Sequence, residues 1–258
     1  MCGVFGFISN DNFTGPDLDR IARIAAVTET RGRHAHGLAW IDASGRLRQF
    51  KRAGRITDNA DWLERIRGAR VVIGHCRFAT RGNPENLINN HPHPCDGGWI
   101  VHNGTAYNAE RLACEWDLHP NSTCDSEVIG GLIETIEGET LLERVQNAVE
   151  LLEGPGVVLG LWARPARLLI VRRGKPLHVS GCDEGLYFGS LPAALNDADR
   201  ILDNTARLYE FRNGEPVQTI REIVPCRKRK PERNPPLGRM LRLFDRDLTA
   251  SRERVWSE

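Results

Sequence analysis

Met1-Cys2-Gly3-Val4-Phe5-Gly6-Phe7 opens the chain, and its reading decides the fold. Val4, Phe5, Phe7 and Ile8 form an apolar run, which predicts a buried strand that holds the terminus still. Gly3 and Gly6 let another group approach the backbone closely. A cysteine directly after Met1 becomes the first residue if the methionine is removed. Its thiol would then sit beside a free α-amine, whose unperturbed pKa of about 7.7–8.0 leaves much of it neutral near pH 7. Nucleophile and base would come from one residue. On this stretch alone, a cysteine at the end of a buried strand is the better account of Cys2, because free cysteine is among the most buried residue types.

Outward from that strand the pattern alternates between short strands and amphipathic helices. Residues 16–30 fit a helix, with Pro16 near its start and Leu18, Ile21, Ile24, Ala25 and Val27 on one side. Residues 38–41 and 47–51 read as a hairpin around Ala43-Ser44-Gly45, and 60–67 as a short helix. Residues 71–74 form a buried strand leading into His75-Cys76-Arg77. Residues 81–98 are rich in Pro, Gly and Asn and read as one long loop, and 99–102 as a strand ending in the turn pair Asn103-Gly104. Helical patterns follow at 107–116, 126–136 and 139–152, then strands at 157–163, 168–172, 185–189 and 207–211, with Asn213-Gly214 supporting a late hairpin. Tight strand–turn–strand connections favour antiparallel sheets whose outer faces the helices cover. The expected class is α+β, a layered sandwich, with residues 1–220 as one domain and 221–258 as a basic, Pro-containing tail. Arg227-Lys228-Arg229-Lys230 lies in that tail, and 237–244 fits a short amphipathic helix.

Composition excludes several classes. The chain of 258 residues is 40% hydrophobic and 27% charged with a net charge of +1, which argues against global electrostatic binding to nucleic acid. The basic tail reads first as a solvated, partly disordered segment, and second as a docking segment for a partner protein or RNA. Seven cysteines, an odd number with no Cys-x-x-Cys pair, suggest a reducing compartment rather than a disulfide framework. No signal peptide and no run of about 20 apolar residues is evident, so a cytoplasmic protein without membrane contact is expected. His91, His93 and Cys95 alternate and His75 adjoins Cys76, but the spacing matches no zinc pattern. No metal and no cofactor is expected.

Four separated pieces carry chemistry together: Gly74 to Gly82, Asn89 to Pro94, His102-Asn103-Gly104, and Cys124-Asp125-Ser126-Glu127. Amide hydrolysis through a thioester would need them. Thiolate attack puts negative charge on the carbonyl oxygen, and an Asn103 side-chain amide with the Gly104 backbone N–H can meet it. Such a donor is worth about 2.7–4 kcal/mol in the transition state. Arg77 offers a two-pronged match to an α-carboxylate, Thr80 a hydroxyl, and Asp125 an acceptor for an α-ammonium. Asp125 also suits a helix N-cap.

With the Cys2-Gly3 start and the Arg31-Gly32 loop, these motifs resemble class II glutamine amidotransferases, the N-terminal-nucleophile type of glutaminase domain, over about the first 220 residues. The resemblance implies a four-layer αββα sandwich of two antiparallel sheets. It implies Cys2 as nucleophile with its α-amine as base, Asn103 and Gly104 as oxyanion hole, and Arg77, Thr80 and Asp125 as the site for L-glutamine. Three positions depart from the family pattern: Arg33-His34-Ala35-His36 replaces a frequent Tyr-Asp-Ser, Arg81 a frequent His, and Phe78 a frequent Trp or Tyr. Family members that aminate a product carry an acceptor domain after the glutaminase, and the residues past Gln218 are too few for one. The expectation is therefore a glutaminase subunit feeding ammonia to an acceptor enzyme on a separate chain. A stand-alone amidase or γ-glutamyl hydrolase, or an inactive scaffold subunit, stays open on sequence alone.

Overall fold

A computed structural model of the chain describes residues 1–182, 185–195, 200–201, 206–210 and 218–223. Two antiparallel sheets stack face to face. In the first, β1 (Gly3–Ser9) is central, between β4 (Val71–Arg77) and β10 (Gly185–Gly189). β2 (Ala35–Ile41) and β3 (Leu47–Ala53) extend it beyond β4, and β9 (His178–Cys182) and β11 (Arg200–Ile201) beyond β10. The second sheet runs β13 (Gln218–Ile223), β12 (Ala206–Glu210), β8 (Ala166–Arg173), β7 (Gly156–Ala163), β6 (Gly98–Gly104), β5 (His93–Cys95).

The pleat sorts the apolar residues into three layers. Val4 and Ile8 of β1, with Val71 and Ile73 of β4, face Val101, Val157, Leu159 and Leu168 of the second sheet. Phe5 and Phe7, on the opposite face of β1, pack under Leu18, Ile21 and Ile24 of α1 (Gly15–Glu29). Three helices cover the outer face of the second sheet: α3 (Ala109–Glu115), α4 (Glu127–Thr135) and α5 (Leu141–Leu151). The short α2 (Asp61–Arg65) seats Trp62 under the first sheet. The result is the expected αββα sandwich. Because β1 is buried on both faces, its sequence reads as a continuous apolar run.

Local chemistry fixes the element ends. Thr14 N donates to the Asp17 carboxylate at 2.8 Å at the start of α1. Asp42 Oδ1 accepts from Ser44 N and Arg46 N at 2.9 Å each and closes the β2–β3 turn. Gly74 is required for packing, since a Cβ there would stand 2.3 Å from the Phe5 ring.

Four expectations need correction. β4 runs on to Arg77, so His75-Cys76-Arg77 lies within the strand. The 81–98 loop contains β5, joined to β6 by Asp96-Gly97, both at positive φ (39° and 73°), a left-handed pair of the kind that favours two-residue hairpins. Asn103-Gly104 is no turn, because β6 continues antiparallel to β7 with Gly104 opposite Gly156. The last strand crosses the expected boundary at 220, since β13 pairs with β12 over Gln218–Ile223. Asn213-Gly214, the basic run and the 237–244 segment lie outside the described residues. No described helix is long and apolar enough to cross a membrane.

Candidate active site

The site forms where the start of β1 meets the ends of β4 and β6. Gly3 pairs with Cys76, which carries Cys2 to the level of Arg77 and Phe78. The Phe78 N–H donates to Cys2 Sγ at 3.3 Å. On the other side, Arg31 Nε donates to the Cys2 carbonyl at 2.7 Å. The residue is therefore gripped at its thiol and at its carbonyl. Gly32 lets the Arg31 loop come this close, since a Cβ there would meet the Arg77 carbonyl carbon at 2.4 Å. Burial pushes the Cys2 thiol up, and the Phe78 N–H, the N-terminal charge and Arg77 pull it back.

Asn103 comes from the other sheet. Its Nδ2 donates to Ser190 Oγ at 3.2 Å, and the same hydroxyl accepts from Val4 N at 2.9 Å. One serine, fully buried just after β10, thus ties the oxyanion-hole candidate to the strand that carries Cys2. Nothing in the sequence marked Ser190. Gly104 ends β6, where its glycine is dictated by His102: a Cβ would lie 2.4 Å from His102 Nε2 and 2.6 Å from the Pro155 carbonyl. His102 Nδ1 pairs with Ser126 Oγ at 2.9 Å, and burial lowers its pKa to about 4.

Of the three substrate-site candidates, Arg77 ends β4, Thr80 lies in the bend that follows it, and Asp125 lies in the turn before α4. Arg77 is buried, with Nη1 donating to Asn90 Oδ1 at 2.8 Å and Nη2 to the Arg81 carbonyl. Its guanidinium thus fastens the 81–90 loop. Thr80 is exposed in the turn after β4. Asp125 is not the cap of α4, a position taken by Ser126. Its Oδ2 accepts from Ala106 N at 2.7 Å, just past β6, and its charge raises the Cys2 thiol. Two of the departures from the expected pattern touch each other: His34 Nδ1 accepts from Ala79 N at 2.9 Å, and its ring centroid lies 4.8 Å from that of Phe78.

The buried imidazoles of His75, His91 and His93 cluster together, with ring centroids 3.9 Å apart for His75–His91 and 4.6 Å for His91–His93. The thiol converging with His91 and His93 is that of Cys124. Cys95, which alternates with them in sequence, packs in the core beneath the helices.

No family profile matches the chain. It is 32% identical over 232 residues to the glutamine–fructose-6-phosphate aminotransferase (isomerizing) of Yersinia pseudotuberculosis, covering 87% of this chain and 36% of that protein. The Escherichia coli enzyme of the same name gives the same identity and coverage. That of Idiomarina loihiensis is 37% identical over 188 residues, covering 69% of this chain and 30% of the other. The chain spans about a third of the length of these relatives. Among solved structures, the glutamine phosphoribosylpyrophosphate amidotransferase of B. subtilis superposes with a TM-score of 0.65 at 20% identity, over 85% of this chain and 49% of that one. A glutamine aminotransferase class-II domain protein from Silicibacter pomeroyi gives 0.52 at 13% identity, over 84% and 99%. These two share the fold. By sequence likeness and fold together, the chain belongs to the class II glutamine amidotransferases, as a glutaminase domain of the N-terminal-nucleophile type.

Proposed function

We propose that the domain hydrolyses L-glutamine to glutamate and ammonia through a Cys2 thioester. The observation that carries this reading is the shared Ser190 hydroxyl, which fixes Asn103 against the Cys2 strand. With Met1 removed, the Cys2 α-amine takes the thiol proton and the thiolate attacks the γ-carboxamide carbon. The oxyanion falls to the second Nδ2 proton of Asn103 and to the Gly104 N–H. Collapse breaks the C–N bond, and the α-ammonium returns its proton to the leaving amine, which departs as ammonia. Water, deprotonated by the same amine, then opens the thioester. Arg77, Thr80 and Asp125 hold the α-carboxylate and α-ammonium at the rim.

The test is the intact mass of purified protein before and after an electrophilic glutamine analogue. Loss of Met1 and one adduct on Cys2 is the expected result. A retained Met1, or a processed chain with no adduct on Cys2, overturns the reading.

The ammonia would go to an acceptor site outside this sandwich. The relatives are named for amino transfer to fructose 6-phosphate, which makes a phosphorylated sugar the first acceptor to try. Amination of fructose 6-phosphate by this chain alone would remove the separate acceptor.

A further inference from the structure

We propose that His91, His93 and Cys124 form a binding site for a thiophilic divalent transition metal, with zinc the best match. Among the described residues, one ligand atom from each lies within 4.8 Å of the others. All three side chains are buried, with 3%, 1% and 6% of their surface exposed. Both ring nitrogens of His91 and Nε2 of His93 find no hydrogen-bond partner among the described residues, and neither does Nε2 of His75, whose ring lies 3.9 Å from that of His91. An unpaired buried nitrogen costs about 1–3 kcal/mol, and the lone-pair nitrogen on each neutral ring suits an occupant that takes lone pairs. A metal ion is such an occupant.

The fold brings the ligands together for local reasons. His93 opens β5, and α4 lies directly on that strand, so closely that a Cβ on Gly130 would meet the Pro94 carbonyl at 2.3 Å. Cys124 sits three residues before α4 and is carried over the His91–His93 segment. Thr123, its neighbour, is held there through N and Oγ1, both 3.1 Å from Asn89 Oδ1. Tetrahedral zinc with two imidazoles and one thiolate spaces its ligand atoms roughly 3.3–3.6 Å apart, so the three atoms need to draw in by about 1 Å. A water or His75 would complete the fourth position.

The donor set suits zinc or copper rather than a hard cation. Burial keeps both imidazoles neutral and therefore able to ligate. Only the Cys124 thiol, pushed up to about 11 by burial and Asp125, must change state. Its S–H bond breaks, the proton leaves to solvent, and a sulfur–metal bond forms, with no change in oxidation state. Bound metal would join the segment that holds Arg77 through Asn90 to the segment that carries Asp125. The proposal does not rest on the glutaminase reading, since binding is measured without substrate.

The full-length chain is stripped with a chelator and titrated with cobalt(II), a spectroscopic stand-in for zinc. The expected result is a saturable sulfur-to-cobalt charge-transfer band at one cobalt per chain, with visible bands of tetrahedral intensity, displaced by zinc. Cys124→Ser should abolish the charge-transfer band, and His93→Gln should weaken binding by at least ~10-fold. Cys2→Ala and Cys95→Ser should keep it. In the unaltered chain, zinc should protect Cys124 from alkylation at least ~10-fold, a readout that needs no variant to fold. No saturable band, a band that survives Cys124→Ser, or one lost with Cys2→Ala overturns the proposal. The first of these outcomes would leave a buried water as the occupant.

Discussion

Replacing Ser190 with alanine separates two jobs that one hydroxyl performs. Val4 N loses its 2.9 Å acceptor, and Asn103 Nδ2 its 3.2 Å acceptor, at positions that are buried. An unsatisfied buried N–H costs about 1–3 kcal/mol, so the urea midpoint should fall by that amount of stability. The Asn103 amide remains present but is no longer pinned. Misplacing a catalytic group by about 1 Å costs up to ~10²-fold, whereas deleting an oxyanion donor costs ~10²–10³. Ser190→Ala should therefore lower kcat for glutamate release by up to ~10²-fold, and Asn103→Ala by more, with KM for glutamine little changed. A coupled glutamate assay at saturating glutamine measures this directly. The double variant decides the mechanism. If Ser190 works through Asn103, adding Ser190→Ala to Asn103→Ala removes almost nothing further. Losses that multiply in the double variant would refute the coupling and leave Ser190 a packing residue of β1.

Cys2→Ala should abolish glutamate release while the far-ultraviolet circular dichroism stays unchanged; residual turnover would place the nucleophile elsewhere. Arg77→Ala should raise KM for L-glutamine more than for amides lacking an α-carboxylate, and equal losses would assign Arg77 only to its bonds with Asn90 and Arg81. Gly104→Ala drives a Cβ into His102 and the Pro155 carbonyl, so it should cost about 1–3 kcal/mol of stability as well as activity; calorimetry showing no change would mean that the strand end relaxes freely. Acid should destabilise the fold early. Burial lowers His75 to about 3 and His102 to about 4, and holds His91 and His93 well below their ordinary value. Their stabilising contribution is complete above the unfolded value of about 6.5 and falls as pH drops through 6.5 towards 4, by up to ~1.4 kcal/mol per pH unit for each imidazole. Urea midpoints unchanged between pH 7 and 5 would contradict this.

The core of the fold was legible because β1 and β4 are buried on both faces, and double burial writes itself as an unbroken apolar run. Cys2, Arg77, Asn103, Gly104 and Asp125 stood out in the sequence only as candidates, by residue type at strand and helix ends. What joins them was not. Ser190 is a common residue after a short strand, and its meeting with Val4 and Asn103 depends on sheet order, which no local pattern encodes. Asn103-Gly104 misled for a related reason: the pair is a turn former in isolation, but Gly156 across the ladder and His102 beneath it set its conformation. The β5–β6 hairpin did carry a readable signal in Asp96-Gly97, hidden by the polar loop around it. Cys124 could not be paired with His91 and His93 from spacing, because helix-on-strand packing brings them together.

The central position of β1 has a consequence for how the chain comes to be folded. β1 is synthesised well before β10, so one edge of β1 has no partner until residues 185–189 exist, since Phe5 pairs with Gly189 and Ile8 with Leu186. The hydroxyl that anchors Asn103 arrives one residue later still, at Ser190. The sheet therefore closes by contacts between the two ends of the domain, a topology that folds slowly. During that interval an apolar, half-paired strand stays exposed on the ribosome and is prone to mispairing.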